Sequence, residues 1–247
     1  MPDFLETPEA RRIAYHRTKG QEPGVVFLGG FKSDMQGTKA IFLEDWARGQ
    51  GRSFLRFDYS GHGESSGAFV DGAIGDWAQD AIRAIEALTD GPQILVGSSM
   101  GGWISLLLAR AMPQRVAGLV GIAAAPDFTL SMEAEMSEAQ RREMAETGRV
   151  ERPSDYSDDP YIITRRLIED GRRQLVLDQP LNLPFPVRLL QGTADTDVPP
   201  SVALRLLEHI DAPDLRLTLV KGADHRFSTP ECLALISDAV AEILPER

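Results

Sequence analysis

Apolar positions along the chain alternate between two rhythms: short unbroken runs flanked by turn residues, and longer stretches in which they recur at every third or fourth position. Residues 24–28, 53–57, 94–96, 116–123, 187–190 and 215–220 follow the first rhythm, the pattern of strands buried on both faces of a sheet. Residues 39–51, 76–88, 100–112, 201–210 and 229–244 follow the second and predict helices. The first of these should close at Gly51 and the second should open on Asp76 as its N-cap. Phe4-Leu5 and Ile13-Ala-Tyr15, on either side of Pro8, predict an edge hairpin. Strands alternating with helices predict an α/β fold: a mostly parallel sheet covered by helices on both faces.

The rhythm breaks between residues 127 and 184. This stretch is rich in charge and carries Met132, Met136 and Met144, three of the seven methionines. Residues 137–147 have helical spacing, and Asp159-Pro160 has the form of an N-cap followed by an N1 proline, predicting a second helix that ends at Gly171. The expectation is a single domain over residues 1–247 with a small helical cap or lid inserted at about 127–184, above the carboxyl edge of the sheet. The plainer alternative is a peripheral packing element.

Composition narrows the chemistry. With 247 residues, 43% hydrophobic and 26% charged, the chain can bury a large core without staples. A formal net charge of −11 disfavours nucleic acid or an anionic membrane as partner. Cys232 is the single cysteine, which excludes an internal disulfide and a thiolate cluster. His16, His62, His209 and His225 lie far apart with no H-E-x-x-H pattern, so neither a metal nor another cofactor is expected. Gly61, Gly63 and Ser66 imitate a dinucleotide fingerprint, but the third glycine, the following helix and the acidic residue it needs are missing. The longest apolar stretch, residues 116–126, is about half of what spans a bilayer. The first twelve residues carry charges where a signal peptide needs an apolar core, and the expected location is cytoplasmic.

Gly97-Ser-Ser-Met-Gly101 sits between a predicted strand and a predicted helix, which is where a G-x-S-x-G nucleophile elbow belongs. The pentapeptide alone would equally fit a serine that caps a helix. In an elbow, Ser99 projects its hydroxyl above the sheet edge, while the Met100 N–H and the helix dipole face the position where an oxyanion would form. A serine nucleophile needs a base, and the base needs a group that holds its tautomer. In this order of strands both should follow Ser99, each after a strand end. Gln191-Gly-Thr-Ala-Asp-Thr-Asp197 follows one strand and Lys221-Gly-Ala-Asp-His225 the next. His225 is the candidate base. Asp195 and Asp197 compete for the acid; Asp195 is nearer the strand end, whereas Asp197 precedes Val198-Pro199 and is expected to cap the next helix. Asp224 reads as a turn former. A second oxyanion N–H should come from Gly29-Gly-Phe-Lys-Ser-Asp34, with Phe31 as the candidate donor.

The order Ser99, Asp195, His225, together with Asp58-Tyr-Ser-Gly-His-Gly-Glu-Ser65 after a strand, resembles the α/β-hydrolase family over nearly the whole chain. Phe31-Lys-Ser-Asp-Met35, Gly37-Thr-Lys-Ala40, Arg56-Phe-Asp-Tyr-Ser-Gly61 and residues 91–103 resemble its mitochondrial branch of palmitoyl-protein thioesterases and acyl-glucuronide esterases. The resemblance implies acyl transfer to water from an oxygen or sulfur ester, with a small-molecule ester, an acyl-thioester or an acylated protein as substrate. It also implies a structural role for His62. Gly29 departs from the family pattern, which often has histidine there. Arg165, Arg166, Arg172 and Arg173 suggest either a carboxylate grip in the cap or a solvated helix face. Lyases, haloperoxidases and a non-catalytic binding protein on the same scaffold are the competing classes.

Overall fold

A computed structural model describes residues 1–153 and 160–245. Its strands are β1 (Asp3–Glu6), β2 (Arg12–Thr18), β3 (Gln21–Leu28), β4 (Arg52–Phe57), β5 (Gln93–Ser98), β6 (Val116–Ile122), β7 (Arg149–Arg152), β8 (Tyr161–Thr164), β9 (Leu181–Asn182), β10 (Val187–Gly192), β11 (Ile210–Asp211) and β12 (Leu215–Val220). Its helices are α1 (Thr38–Gly49), α2 (Ile74–Leu88), α3 (Met100–Ala111), α4 (Phe128–Ala134), α5 (Glu138–Thr147), α6 (Arg165–Gly171), α7 (Pro200–His209) and α8 (Pro230–Ile243).

The main sheet has eight strands in the order β1-β2-β4-β3-β5-β6-β10-β12. All neighbours from β4 to β12 run parallel, and the β1–β2 hairpin joins antiparallel at one edge. Successive side chains of a strand leave opposite faces, and the core divides accordingly. Val26, Leu28, Leu95, Leu119 and Leu189 pack in one layer with α2, α3 and Leu206 of α7. Val25, Phe27, Ile94, Val96, Val120 and Leu190 pack in the other with α1 and α8. Both faces are therefore dry, which explains why the central strands read as unbroken apolar runs.

Between β6 and β10, which are neighbours in the sheet, the chain makes its insertion. Ser137 and Gln140 form a reciprocal capping box that starts α5. β7 and β8 pair antiparallel, from Arg149 opposite Thr164 to Arg152 opposite Tyr161. Val150, Ile163, Leu167 and Ile168 join the core layer that contains α2 and α3. Asp170 Oδ2 accepts the Gly75 N–H at 2.7 Å, and Trp103 Nε1 and Arg110 Nη1 of α3 donate to the carbonyls of Gln174 and Leu175 at 3.0 and 2.8 Å. The insertion is thus tied to the body at several points.

Three local expectations change. α2 opens two residues before Asp76, with Ala73 as N-cap, and Asp76 sits in its first turn. Asp159 lies outside the described residues; beyond Pro160 the chain forms β8, and α6 begins only at Arg165, capped by the Thr164 hydroxyl. Strand pairing with β7 overrides the helical start signal there. α7 is entered through Pro199 with no side-chain cap, so Asp197 does not cap it.

Candidate active site

β5 runs straight into α3 through Ser99, whose backbone is held at φ 53° and ψ −117°. A non-glycine residue in such a region carries strain of about 1–3 kcal/mol. Surrounding hydrogen bonds hold it: the Ser99 N–H donates to the Ile122 carbonyl at 2.9 Å, and the Ser99 carbonyl accepts from Gly102 and Ala125 at 2.9 and 3.1 Å. Glycine is required at 101 because a Cβ there would stand 2.0 Å from the Leu28 carbonyl oxygen. That contact lets α3 press against the end of β3, so the loop after β3 passes beside the serine. A Cβ on Gly30 would come within 3.5 Å of Ser99 Cβ.

Asp195 follows β10 and His225 follows β12, and the parallel pairing of these strands brings the two loops together. Asp195 Oδ2 lies 2.9 Å from His225 Nδ1, and His225 Nε2 lies 3.1 Å from Ser99 Oγ. Since the carboxylate only accepts, Nδ1 carries the ring proton and Nε2 offers its lone pair to the serine hydroxyl. Asp195 is 5% exposed. Burial alone would raise its pKa, but hydrogen bonds from His225, the Val198 N–H and Gln191 outweigh this and hold the carboxyl below its ordinary value. Its second oxygen, Oδ1, accepts the N–H groups of Asp197 and Val198 at 3.0 and 2.8 Å, and Gln191 Nε2 reaches Oδ2 at 2.9 Å.

Asp195, Asp197 and His225 present potential metal-ligand atoms within 4.8 Å of one another. Asp195 already accepts a hydrogen bond at every position just described, and the Nδ1 proton of His225 occupies the shared space. These residues suit proton transfer better than coordination.

Met100 follows Ser99 directly, and Phe31 follows Gly30, where an added Cβ would meet that of Ser99. Met100 is the first residue of α3, where N–H groups have no carbonyl one turn back within the helix. The Phe31 ring packs edge-on against Phe69, Phe128, Tyr161 and Trp77, with centroids 4.9, 5.6, 5.7 and 6.0 Å away. An apolar wall therefore joins the loop after β3 to the insertion.

Other candidates fall away from the chemistry. Asp224 forms a turn, its Oδ1 accepting the Phe227 N–H at 3.1 Å. Cys232 is buried in the first turn of α8. His62 is 4% exposed and hydrogen-bonded within the body, where burial pushes its ring down to about 4. The four arginines are exposed side chains that also pair with neighbouring groups of the protein. Arg165 donates to the carbonyls of Met144 and Ala145 at the end of α5, at 2.6 and 2.7 Å. Arg166 pairs with Asp76 at 2.7 Å, Arg172 with Glu133, and Arg173 with Asp170 at 3.1 Å. A cavity of about 470 Å³ within the insertion is lined by Met136, Met144, Ile168, Glu133, Arg165 and Arg172 among others. Ser99, Asp195 and His225 do not line it.

Sequence patterning missed two supports of the site. Gln191 is fully buried and holds Asp195; a glutamine inside an apolar strand was the available sign. Lys39 is half-buried, and its Nζ donates to the Arg226 carbonyl at 2.5 Å, clamping the loop that carries His225. Burial lowers its pKa to about 8, against the opposing effect of Asp224.

The family profile Hydrolase_4 (serine aminopeptidase, S33) matches residues 21–166. The mitochondrial palmitoyl-protein thioesterase ABHD10 of Rattus norvegicus is 35% identical over 242 residues, which are 98% of this chain and 82% of that protein. Its Homo sapiens counterpart is 34% identical, over 98% of this chain and 79% of its own length. The crystal structure of a protein from Agrobacterium vitis S4 has a TM-score of 0.95 at 41% identity and covers 99% of both chains. The structure of mouse alpha/beta hydrolase domain-containing protein 10 has a TM-score of 0.90 at 34% identity, covering 98% of this chain and 97% of that one. No helix among the described residues is long and apolar enough to cross a membrane. With a family profile over more than half of its length and relatives above 30% identity over nearly all of it, the chain belongs to the Hydrolase_4 family of α/β hydrolases.

Proposed function

We propose that this protein is a serine hydrolase that cleaves carboxylic ester or thioester bonds through an acyl-serine intermediate. One observation carries the proposal: a carboxylate, an imidazole and a hydroxyl in series at 2.9 and 3.1 Å, ending on a serine held in strained backbone. Ser99 Oγ attacks the carbonyl carbon while His225 Nε2 takes its proton. Asp195 stabilises the imidazolium, and the N–H groups of Phe31 and Met100 receive the negative oxygen. The carbon–oxygen or carbon–sulfur bond then breaks and the leaving group takes the proton from Nε2. Water adds to the acyl-serine with the same imidazole as base, releasing the carboxylic acid and restoring Ser99.

Residues 127–184 act as a cap on a single domain, and the Phe31, Phe128 and Tyr161 rings favour an apolar or aromatic acyl group. A narrower assignment, to long-chain acyl thioesters, is favoured by the name of the relatives at 35% identity. The cytoplasmic location is likewise proposed; the relatives are named mitochondrial, and fractionation of tagged protein decides between the two.

Labelling by a fluorophosphonate probe tests the nucleophile. Ser99→Ala should abolish labelling and lower turnover by ~10⁴ or more; near-normal hydrolysis by this variant overturns the proposal. A chain-length series of p-nitrophenyl esters beside palmitoyl-thioester then ranks the substrates.

A further inference from the structure

The Phe31 N–H lies on backbone held against its own preference. Lys32 has φ +55°, a region that costs a side-chain-bearing residue about 1–2 kcal/mol. Its N–H belongs to the peptide adjacent to the proposed oxyanion donor, and it donates to Nε2 of His62 at 3.2 Å. A backbone N–H only donates, so Nε2 bears the lone pair and Nδ1 the proton. Nδ1 lies 3.2 Å from the Ser60 carbonyl, which also accepts the Trp77 indole N–H at 3.1 Å. Ser60 in turn donates its N–H and hydroxyl to Asp80 Oδ2 at 2.9 and 2.7 Å, and Asp80 Oδ1 pairs with Arg11 Nε at 2.9 Å. The ring edges of Tyr59, Phe69 and Trp77 surround the imidazole at centroid distances of 5.6, 5.1 and 5.1 Å. A continuous series of hydrogen bonds therefore runs from a fully buried carboxylate to the backbone beside Ser99.

We propose that His62 is a positioning residue for the oxyanion hole: by accepting the Lys32 N–H it sets the 30–32 backbone so that the Phe31 N–H faces the space in front of Ser99. The inference rests on the hydrolase mechanism proposed above. A neutral imidazole suits the task because it offers a donor and an acceptor from one rigid ring, one toward the fixed Ser60 carbonyl and one toward the loop. Its effect belongs to the stage at which the carbonyl oxygen becomes negative. Loss of the acceptor should lower kcat and weaken an oxyanion-forming inhibitor while leaving KM nearly unchanged.

The test compares His62→Phe, His62→Asn and His62→Gln. Phe keeps the ring volume without either polar atom; Asn keeps a donor near the Nδ1 position but is too short to reach Lys32; Gln carries its Oε1 to about the Nε2 position. For each variant kcat, KM, fluorophosphonate labelling and the inhibition constant of an alkyl trifluoromethyl ketone are measured. Removal of an oxyanion donor costs ~10²–10³ in turnover, so misdirecting one should cost about ten- to a hundredfold. Phe and Asn should lose that much in kcat, with a parallel rise in the inhibition constant, KM within about threefold and labelling still detectable; Gln should recover most of the loss. Wild-type inhibition constants in Phe or Asn, or a loss in Gln equal to theirs, overturn the inference, and if the Phe variant does not fold the Asn and Gln pair decides. Absence of labelling in the wild-type enzyme would instead remove the mechanism itself, so the two failures are told apart.

Discussion

Asp195→Asn is the sharpest perturbation available, because the surrounding hydrogen bonds dictate how the new amide must lie. Oδ1 accepts two backbone N–H groups, from Asp197 and Val198, at 3.0 and 2.8 Å. Neither donor can turn away, so the asparagine must keep its oxygen on that side. Its NH₂ group then takes the place of Oδ2, facing His225 Nδ1 and Gln191 Nε2, both at 2.9 Å in the native protein. Facing a donor, Nδ1 becomes the acceptor and the ring proton moves to Nε2. Ser99 then meets an N–H where it needs a lone pair. With tautomer and electrostatic support both lost, kcat should fall by about 10⁴, equivalent to ~5 kcal/mol of transition-state stabilisation. Stopped-flow acylation by a p-nitrophenyl ester reads the loss, and ¹⁵N chemical shifts of the imidazole read the tautomer directly. Turnover within about tenfold of wild type, with Nδ1 still protonated, would refute the reasoning. Asp197→Asn is the control and should stay within about threefold.

The buried neutral His62 predicts an acid-sensitive stability. Its ring titrates at about 4 in the folded protein against 6.5 for the ordinary group. As pH falls from 6.5 toward 4 the unfolded chain binds a proton that the native state refuses, so this contribution shrinks in that window, by about 3 kcal/mol near its lower end. Urea unfolding at stepped pH should show wild type losing that much relative to His62→Gln; superimposable pH profiles would remove His62 as the cause. At the elbow, Gly101→Ala sets a methyl 2.0 Å from the Leu28 carbonyl oxygen and 2.6 Å from that of Gly29, and neither is a movable side-chain end. It should destabilise by about 3 kcal/mol and lower kcat, whereas Gly49→Ala, in open space at the end of α1, should gain about 0.5 kcal/mol. Thermal melts of both variants check the contrast, and equal melting temperatures would contradict it.

Much of the architecture was legible because burial imprints itself locally. Strands dry on both faces must be apolar throughout, and helices with one dry face must repeat every three to four residues, so residues 24–28, 94–96 and 116–123 could be assigned without coordinates. The candidate triad was legible for a related reason: parallel strands end at one edge, and residues just past those ends meet there however far apart they lie in the chain. Helix starts were less legible. Asp76 and Asp159-Pro160 carry good cap chemistry, but the burial of Ile74 in the first turn of α2 and the pairing of β8 with β7 set the actual course.

By itself, then, the amino-acid order determined the layered sheet, the elbow at Ser99 and the succession of serine, acid and histidine. Only the tertiary structure set Asp195 rather than Asp197 against His225, engaged Arg165, Arg166, Arg172 and Arg173 in contacts within the protein, and linked His62 to the loop after β3. Each of those outcomes depends on which way a side chain points and which distant backbone group meets it. Periodicity along a chain records which face is buried, but it carries no record of partners brought together from elsewhere in the fold.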